Sequence, residues 1–166
     1  NDKETRDERH EAIQTLKVIN KLNAHYAKEY EQAIRQVEDD LRQEHICMVN
    51  DTELDEEQRK YIQQYYYQKL DGFIAPVWFS AVKDLSTAPD DSIYLAVKMR
   101  KKSDKTHPEY AMLQLPVNLV GRFVQLPDKD GNAYIMYIDD VVRCALPLIF
   151  AGLNYSVFEA YAFKFT

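Results

Sequence analysis

From Ile13 to Leu41 the chain repeats apolar residues at steps of three and four: Ile13, Leu16, Ile19, Leu22, Tyr26, Tyr30, Ile34, Val37 and Leu41. That spacing lines them up on one face of a helix, and no Gly or Pro interrupts it. The helical pattern reaches back to Thr5, where Thr5 and Glu8 have the spacing of a capping box. A helix of about 40 residues is about 60 Å long, roughly twice the width of a small domain. The rest of the chain is too short to cover such a stripe from end to end. Either the helix folds back at Asn20 and Asn23 into a pair, or its partner is another chain, or its partner is polypeptide missing from this sequence. The last reading is adopted, and it makes the chain a fragment.

Beyond this arm the pattern changes. "ICMVN" (46–50) reads as a short buried strand. Asp55 with Gln58 offers another capping box, opening a helix to about Leu70 with an inner face of Tyr61, Ile62, Tyr65, Tyr66 and Leu70. Gly72 is its stop. "FIAPVWF", broken by Pro76, should wrap the core as an extended segment, and "KDLSTAPDDS" reads as a polar loop. Alternation at Ile93, Leu95, Val97 and Met99 marks a strand, with 110–115 as its return. The segments 122–126 and 133–138 should pair across "DKDGN".

In "LPVNLVGRFVQLP" (115–127) each Pro lacks a ladder donor, so each should stop a strand or sit on an edge. Asp139 or Asp140 can cap a helix through "DVVRCALPLIF", bent by Pro147 and ended by Gly152. "SVFEAYAFKFT" closes the chain as a strand with Tyr161, Phe163 and Phe165 on one face. The fold class is α+β: a long N-terminal helix, or helical pair, followed by a mostly antiparallel sheet with packed helices.

The net charge of −6 is concentrated at the front. Residues 1–60 carry 10 Lys/Arg against 16 Asp/Glu, whereas residues 61–166 carry 11 of each. That balance disfavours a nucleic-acid partner, which selects basic surfaces. No apolar run approaches a membrane span and no signal-like segment opens the chain. Cys47 and Cys144, without regular spacing, read as two buried free thiols of a reducing compartment, with one long-range disulfide as the alternative. A cytoplasmic location follows from these together.

Signatures of chemistry are missing. The four glycines are isolated, so no phosphate-cradling loop forms. His10, His25, His45 and His107 lack metal-ligand spacing, and no Ser sits in a nucleophile elbow. No catalytic, cofactor-binding or metal-ligating residue is assigned. One charge cluster stands out: Lys98, Arg100, Lys101, Lys102 and Lys105 crowd a turn between two strands with Asp104 among them. It reads either as a polyanion site or as a hairpin tip guarded against edge pairing. Tyr65, Tyr66 and Tyr67 read as core and rim rather than as a base-stacking platform.

Read in order, five stretches resemble one family: "LRQEHICMVN…LDEEQRKYIQQYYYQKL", "FIAPVW", "SIYLAVKM", "YAMLQLPVNLVGRFVQLP" and "IDDVVRCALPLIFAGLNYSVFEAYAFKFT". They are similar to the large, histidine-phosphorylated bacterial polyphosphate kinases, from the join of the first and second domains onward. The similarity spans roughly residue 34 to the end. Two turns depart from the family pattern: Gly121 stands where members commonly have Pro, and "FSAVKDLSTAPDD" replaces a His-Pro-Phe-Pro stretch.

The resemblance implies that residues 1–45 are the last helix of the helical N-terminal domain. Residues 46–166 would be the middle, or head, domain, truncated at its C-terminal end. It implies a parent that reversibly transfers the terminal phosphate of ATP to inorganic polyphosphate, with Mg²⁺, through a histidine outside this chain. The remaining domains of that enzyme and a second copy, as a homodimer, are the implied partners. The segment itself would be a non-catalytic scaffold without a cofactor of its own. Arg122 is then structural or interfacial, its stem beside Phe123 and its guanidinium on a carboxylate or carbonyl; contact with polyphosphate or a nucleotide is the alternative. A freestanding polyanion- or peptide-binding module, working through the Lys-rich turn, is the rival to the whole reading, and an acidic coiled-coil adaptor built on the first helix is a third.

Overall fold

The computed structural model describes residues 2–82 and 92–164, with side chains described from residue 9 onward. The chain divides into two compact units, Asn1–Glu44 and His45–Thr166. The first is one α-helix, α1 (Asp2–Gln43), of 42 residues. It runs unbroken through Asn20 and Asn23, so the alternative of a helical pair is not formed. Two asparagines cost a few tenths of a kcal/mol each in helix propensity, too little to offset the hydrogen bonds on either side. The helix starts upstream of Thr5, so Thr5 is not its N-cap, and the side chains of Thr5 and Glu8 lie outside the described residues. Ile13, Leu16, Ile19, Leu22, Tyr26, Tyr30 and Val37 are all exposed along the predicted stripe, while Ile34 and Leu41 are half-exposed.

The second unit holds two sheets. β1 (Ile46–Met48) pairs in parallel with β6 (Asn132–Tyr137), which pairs antiparallel with β5 (Phe123–Lys129), giving the order β1-β6-β5. The other sheet is antiparallel throughout, in the order β2-β4-β3-β7, from β2 (Val77–Trp78), β3 (Ile93–Lys101), β4 (Glu109–Gln114) and β7 (Tyr155–Lys164). The sequence reading had a single sheet. Two form because α2 (Glu56–Tyr65) and α4 (Ile138–Ile149) have apolar faces that join one core with strands from both sheets.

That core follows the predicted periodicities. Ile62, Tyr66 and Leu70 are buried from the α2 segment, and Leu95, Val97 and Met99 from β3. Val124, Leu126 and Met136 come from the β5–β6 hairpin, and Val141, Val142, Ala145 and Leu146 from α4. Asp55 and Gln58 form the predicted capping box: Gln58 N donates to Asp55 Oδ1 at 2.8 Å and Asp55 N donates to Gln58 Oε1 at 3.1 Å. Past Tyr65 the helix widens into a π-turn, Tyr66–Leu70, closed by Asp71 N donating to Tyr66 O at 2.8 Å. Tyr66 is buried, Tyr65 half-buried and Tyr67 exposed, a core-and-rim arrangement.

Both prolines of the 115–127 stretch behave as their chemistry demands. Pro116 follows the end of β4 and opens a one-turn helix, α3 (Val117–Val120), which the sequence reading had not anticipated. Pro127 lies in β5, an edge strand, where the register with β6 shifts between Leu126 and Lys129. Asp130 and Gly131, at φ 53° and 78°, make the tight turn to β6. "FIAPVWF" contributes only the two-residue β2, followed by a 3₁₀ turn at Phe79–Ala81. The polar loop falls almost wholly on residues 83–91, and Phe165 of the aromatic row on 165–166; both lie outside the described residues. Cys47 and Cys144 are free as expected, but half-buried rather than buried.

Candidate functional site

The β3–β4 turn places the Lys-rich cluster on one end of the antiparallel sheet. The register sets Lys98 opposite Glu159 of β7. Both Lys98 Nζ and Arg100 Nη1 lie 3.3 Å from Glu159 Oε1. Lys101 Nζ lies 2.9 Å from Glu109 Oε1, whose other oxygen accepts from Tyr155 Oη at 2.6 Å. Tyr155 and Lys101 together hold the Glu109 carboxyl below its usual range, and Lys98, then Arg100, does the same for Glu159. Burial, with Glu109 beside it, pushes the Tyr155 hydroxyl up to about 12. Three of the five cations in the cluster thus answer carboxylates of the same sheet. Lys102 and Lys105 are exposed and have no carboxylate partner among the described residues.

The turn itself is organised by Asp104. Its Oδ1 accepts from Thr106 N at 2.9 Å and Thr106 Oγ1 at 2.6 Å, and its Oδ2 lies 2.8 Å from His107 Nδ1. These contacts, Thr106 first and His107 second, hold Asp104 well below the usual carboxylate range. The Asp104–His107 pair went unread in the sequence, although a short Asp-x-Thr-His run in a turn is its signal.

Arg122 does not join the cluster. It precedes β5 in the other sheet and grips Asp139 of α4 with both terminal nitrogens, Nη2 to Oδ2 at 3.1 Å. Its guanidinium carbon sits 5.3 Å from the centre of the Tyr137 ring, against which Phe123 also packs at 4.8 Å. Asp139 is 7% exposed. A bidentate pair over an aromatic ring is what arginine does better than lysine. The expectation that Asp139 or Asp140 caps α4 is corrected: the N-cap position is Tyr137, without a side-chain cap. Both aspartates lie in the first turn and are held by arginines instead, Asp139 by Arg122 and Asp140 by Arg143. Burial pushes the Asp140 carboxyl above its ordinary value despite Arg143, and pushes the Cys144 thiol up to about 11, which makes it a poor nucleophile.

Among the described residues no group of three or more His, Cys, Asp or Glu is placed to hold a metal ion. A groove of about 240 Å³ lies at the end of β4, lined by Phe73, Gln114, Leu115, Pro116, Asn118 and Leu119. It offers two amides and no charge, a poor match for phosphate. No described helix is long and apolar enough to cross a membrane.

These features define an α+β domain whose two sheets share one helical core and whose surface cations are largely clipped to its own carboxylates. Residues 57–166 match the family described as the polyphosphate kinase middle domain, and the chain belongs to that family. The polyphosphate kinase of Vibrio vulnificus strain YJ016 is 31% identical over 150 residues, 88% of this chain and 20% of the relative. Those of Yersinia pestis and Escherichia coli K12 are 30% and 29% identical over 131 residues, 76% of this chain and 19% of each relative. The crystal structure of polyphosphate kinase from Porphyromonas gingivalis superposes with a TM-score of 0.71 at 22% identity, covering 81% of this chain and 22% of that one. The chain therefore spans about a fifth of the length of the relatives it matches.

Proposed function

We propose that this chain is a non-catalytic N-terminal and middle segment of a polyphosphate kinase, serving scaffolding and dimerisation. The observation that carries the reading is the middle-domain match over residues 57–166. On this reading residues 1–45 are the closing helix of a helical N-terminal domain and 46–166 the head domain. The parent enzyme reversibly moves the terminal phosphate of ATP onto inorganic polyphosphate, with Mg²⁺, in the cytoplasm. Its other domains and a second copy are this segment's partners, the exposed stripe of α1 being one surface available to them. Arg122 acts structurally here, through Asp139 and Tyr137. The decisive experiment is an assay of ATP-dependent polyphosphate synthesis and ATP hydrolysis on this chain alone. No turnover is expected; turnover that survives removal of host kinase overturns the reading.

A second reading rests on Lys102 and Lys105, which are exposed and unpaired among the described residues. The Lys-rich turn, with Lys98, Arg100 and Lys101 behind them, would then hold a polyanion such as polyphosphate. Binding should weaken steeply with salt, and replacing Lys101 and Lys102 by Glu should abolish it. Polyphosphate affinity unchanged in that variant removes the idea.

A further inference from the structure

Among the described residues the second unit has four sheet edges, and three are guarded in recognisable ways. β1 and β2 are only three and two residues long, and β5 carries Pro127, a register shift and Lys129. Short edges, prolines and lysines are the usual defences against pairing with a foreign strand. The fourth edge, β7, is neither short nor interrupted by proline, and its lysine, Lys164, and its register shift against β3 stand only at its two ends. It runs for 10 residues, Tyr155–Lys164, rich in aromatic residues and free of Pro and Gly. Its central charge, Glu159, is already engaged by Lys98 and Arg100 across the sheet.

A side-chain contact falls on the backbone of this edge. Arg143 of α4, paired through Nη1 with Asp140 one turn earlier, donates from Nε to the backbone carbonyl of Ala160 at 3.1 Å. Alternate residues of an edge strand turn their N–H and C=O groups away from the sheet. A carbonyl met by a guanidinium fixes which set that is: Phe158, Ala160 and Ala162 point outward. The guanidinium lies in the middle of that row, where the backbone of an added strand would have to pass.

We propose that the Asp140–Arg143 pair is an edge lock for β7. It takes up the Ala160 carbonyl and blocks strand addition, so that releasing Arg143 lets β7 pair with the same edge of a second copy, antiparallel about a two-fold axis. In a solution of this chain alone, the second copy is the strand on offer, and a two-fold pairing makes the contact self-complementary.

The test is sedimentation velocity over a concentration series. Arg143→Met keeps most of the apolar stem and removes the donor; it should associate at concentrations at least tenfold lower than the parent chain. Adding Ala162→Pro, which deletes an outward N–H, should restore the parental profile. An Arg143→Met profile identical to the parent's overturns the proposal, as does association that persists with Ala162→Pro. Should Arg143→Met fail to fold, NMR on the parent chain decides. The Arg143 Nε–H must then exchange slowly and show coupling to the Ala160 carbonyl, and a fast-exchanging, uncoupled signal overturns the lock.

Discussion

α1 and α2 begin from the same kind of signal, an apolar row at helical spacing, and end differently. In α2 and the π-turn that continues it the row is consumed: Ile62, Tyr66 and Leu70 are 1%, 5% and 0% exposed. In α1 seven residues of the row are exposed, with Tyr30 at 67%. Periodicity thus specifies the element and the face that wants burial, while the covering partner is a separate, non-local matter. For α2 the partner lies in the same chain. For α1, in this chain, the stripe is a surface.

The sharpest way to break that contrast is truncation. Leu95→Ala, at 0% exposure, should lower stability by about 2–5 kcal/mol in urea unfolding, from lost transfer energy and a residual cavity. Leu22→Ala, at 48% exposure, should shift the same curve by no more than about 0.5 kcal/mol. Comparable losses would mean that the stripe is covered in solution after all. A middle-sized effect belongs to Asp139→Ala, which strands Arg122 and removes a mostly buried carboxylate. Because Arg122 is partly exposed, the loss should be about 1–3 kcal/mol rather than the full figure for a buried pair. A shift below about 0.3 kcal/mol would reduce the pair to ornament.

The smallest effect is in pH, and it separates the sheet tip from the α4 start. Asp104, Glu109 and Glu159 are held below their ordinary values. Their stabilisation is therefore complete above those ordinary values and drains away as pH falls through the folded ones. Asp140 is raised, so its contribution has the opposite sign: present in acid and lost as pH rises through its folded value. Between about pH 5 and about pH 3, amide protection factors should fall around 98–109 and hold or rise in the first turn of α4. Parallel behaviour of the two regions would contradict the assignment.

What could be read in advance was what depends on neighbours in sequence. The Asp55–Gln58 box, the β3 alternation and the turn at Asp130–Gly131 are settled within a few residues. What could not be read depends on distant partners. Lys98 and Arg100 look like a cationic patch until Glu159, 61 and 59 residues away, is brought across from β7. Asp139 and Asp140 look like caps until Arg122 and Arg143 reach them. The division into two sheets has the same origin, since pairing β1 with β6 joins residues that no local pattern connects. The guanidinium of Arg122 was the exception. A lone cation in an apolar stretch announces that it needs a carboxylate, even when the sequence does not say which.

Trp78 touches Phe150 and Tyr155 at 5.9 Å from each ring, and it is the sole indole of the chain. Its emission therefore watches the meeting point of β2, the end of α4 and the start of β7, all in the second unit, while the leading rod belongs to the first. Far-ultraviolet dichroism, dominated by that rod, watches the opposite. The molecule comes with two independent gauges, and melting both in one sample would show directly whether its two units let go together or in turn.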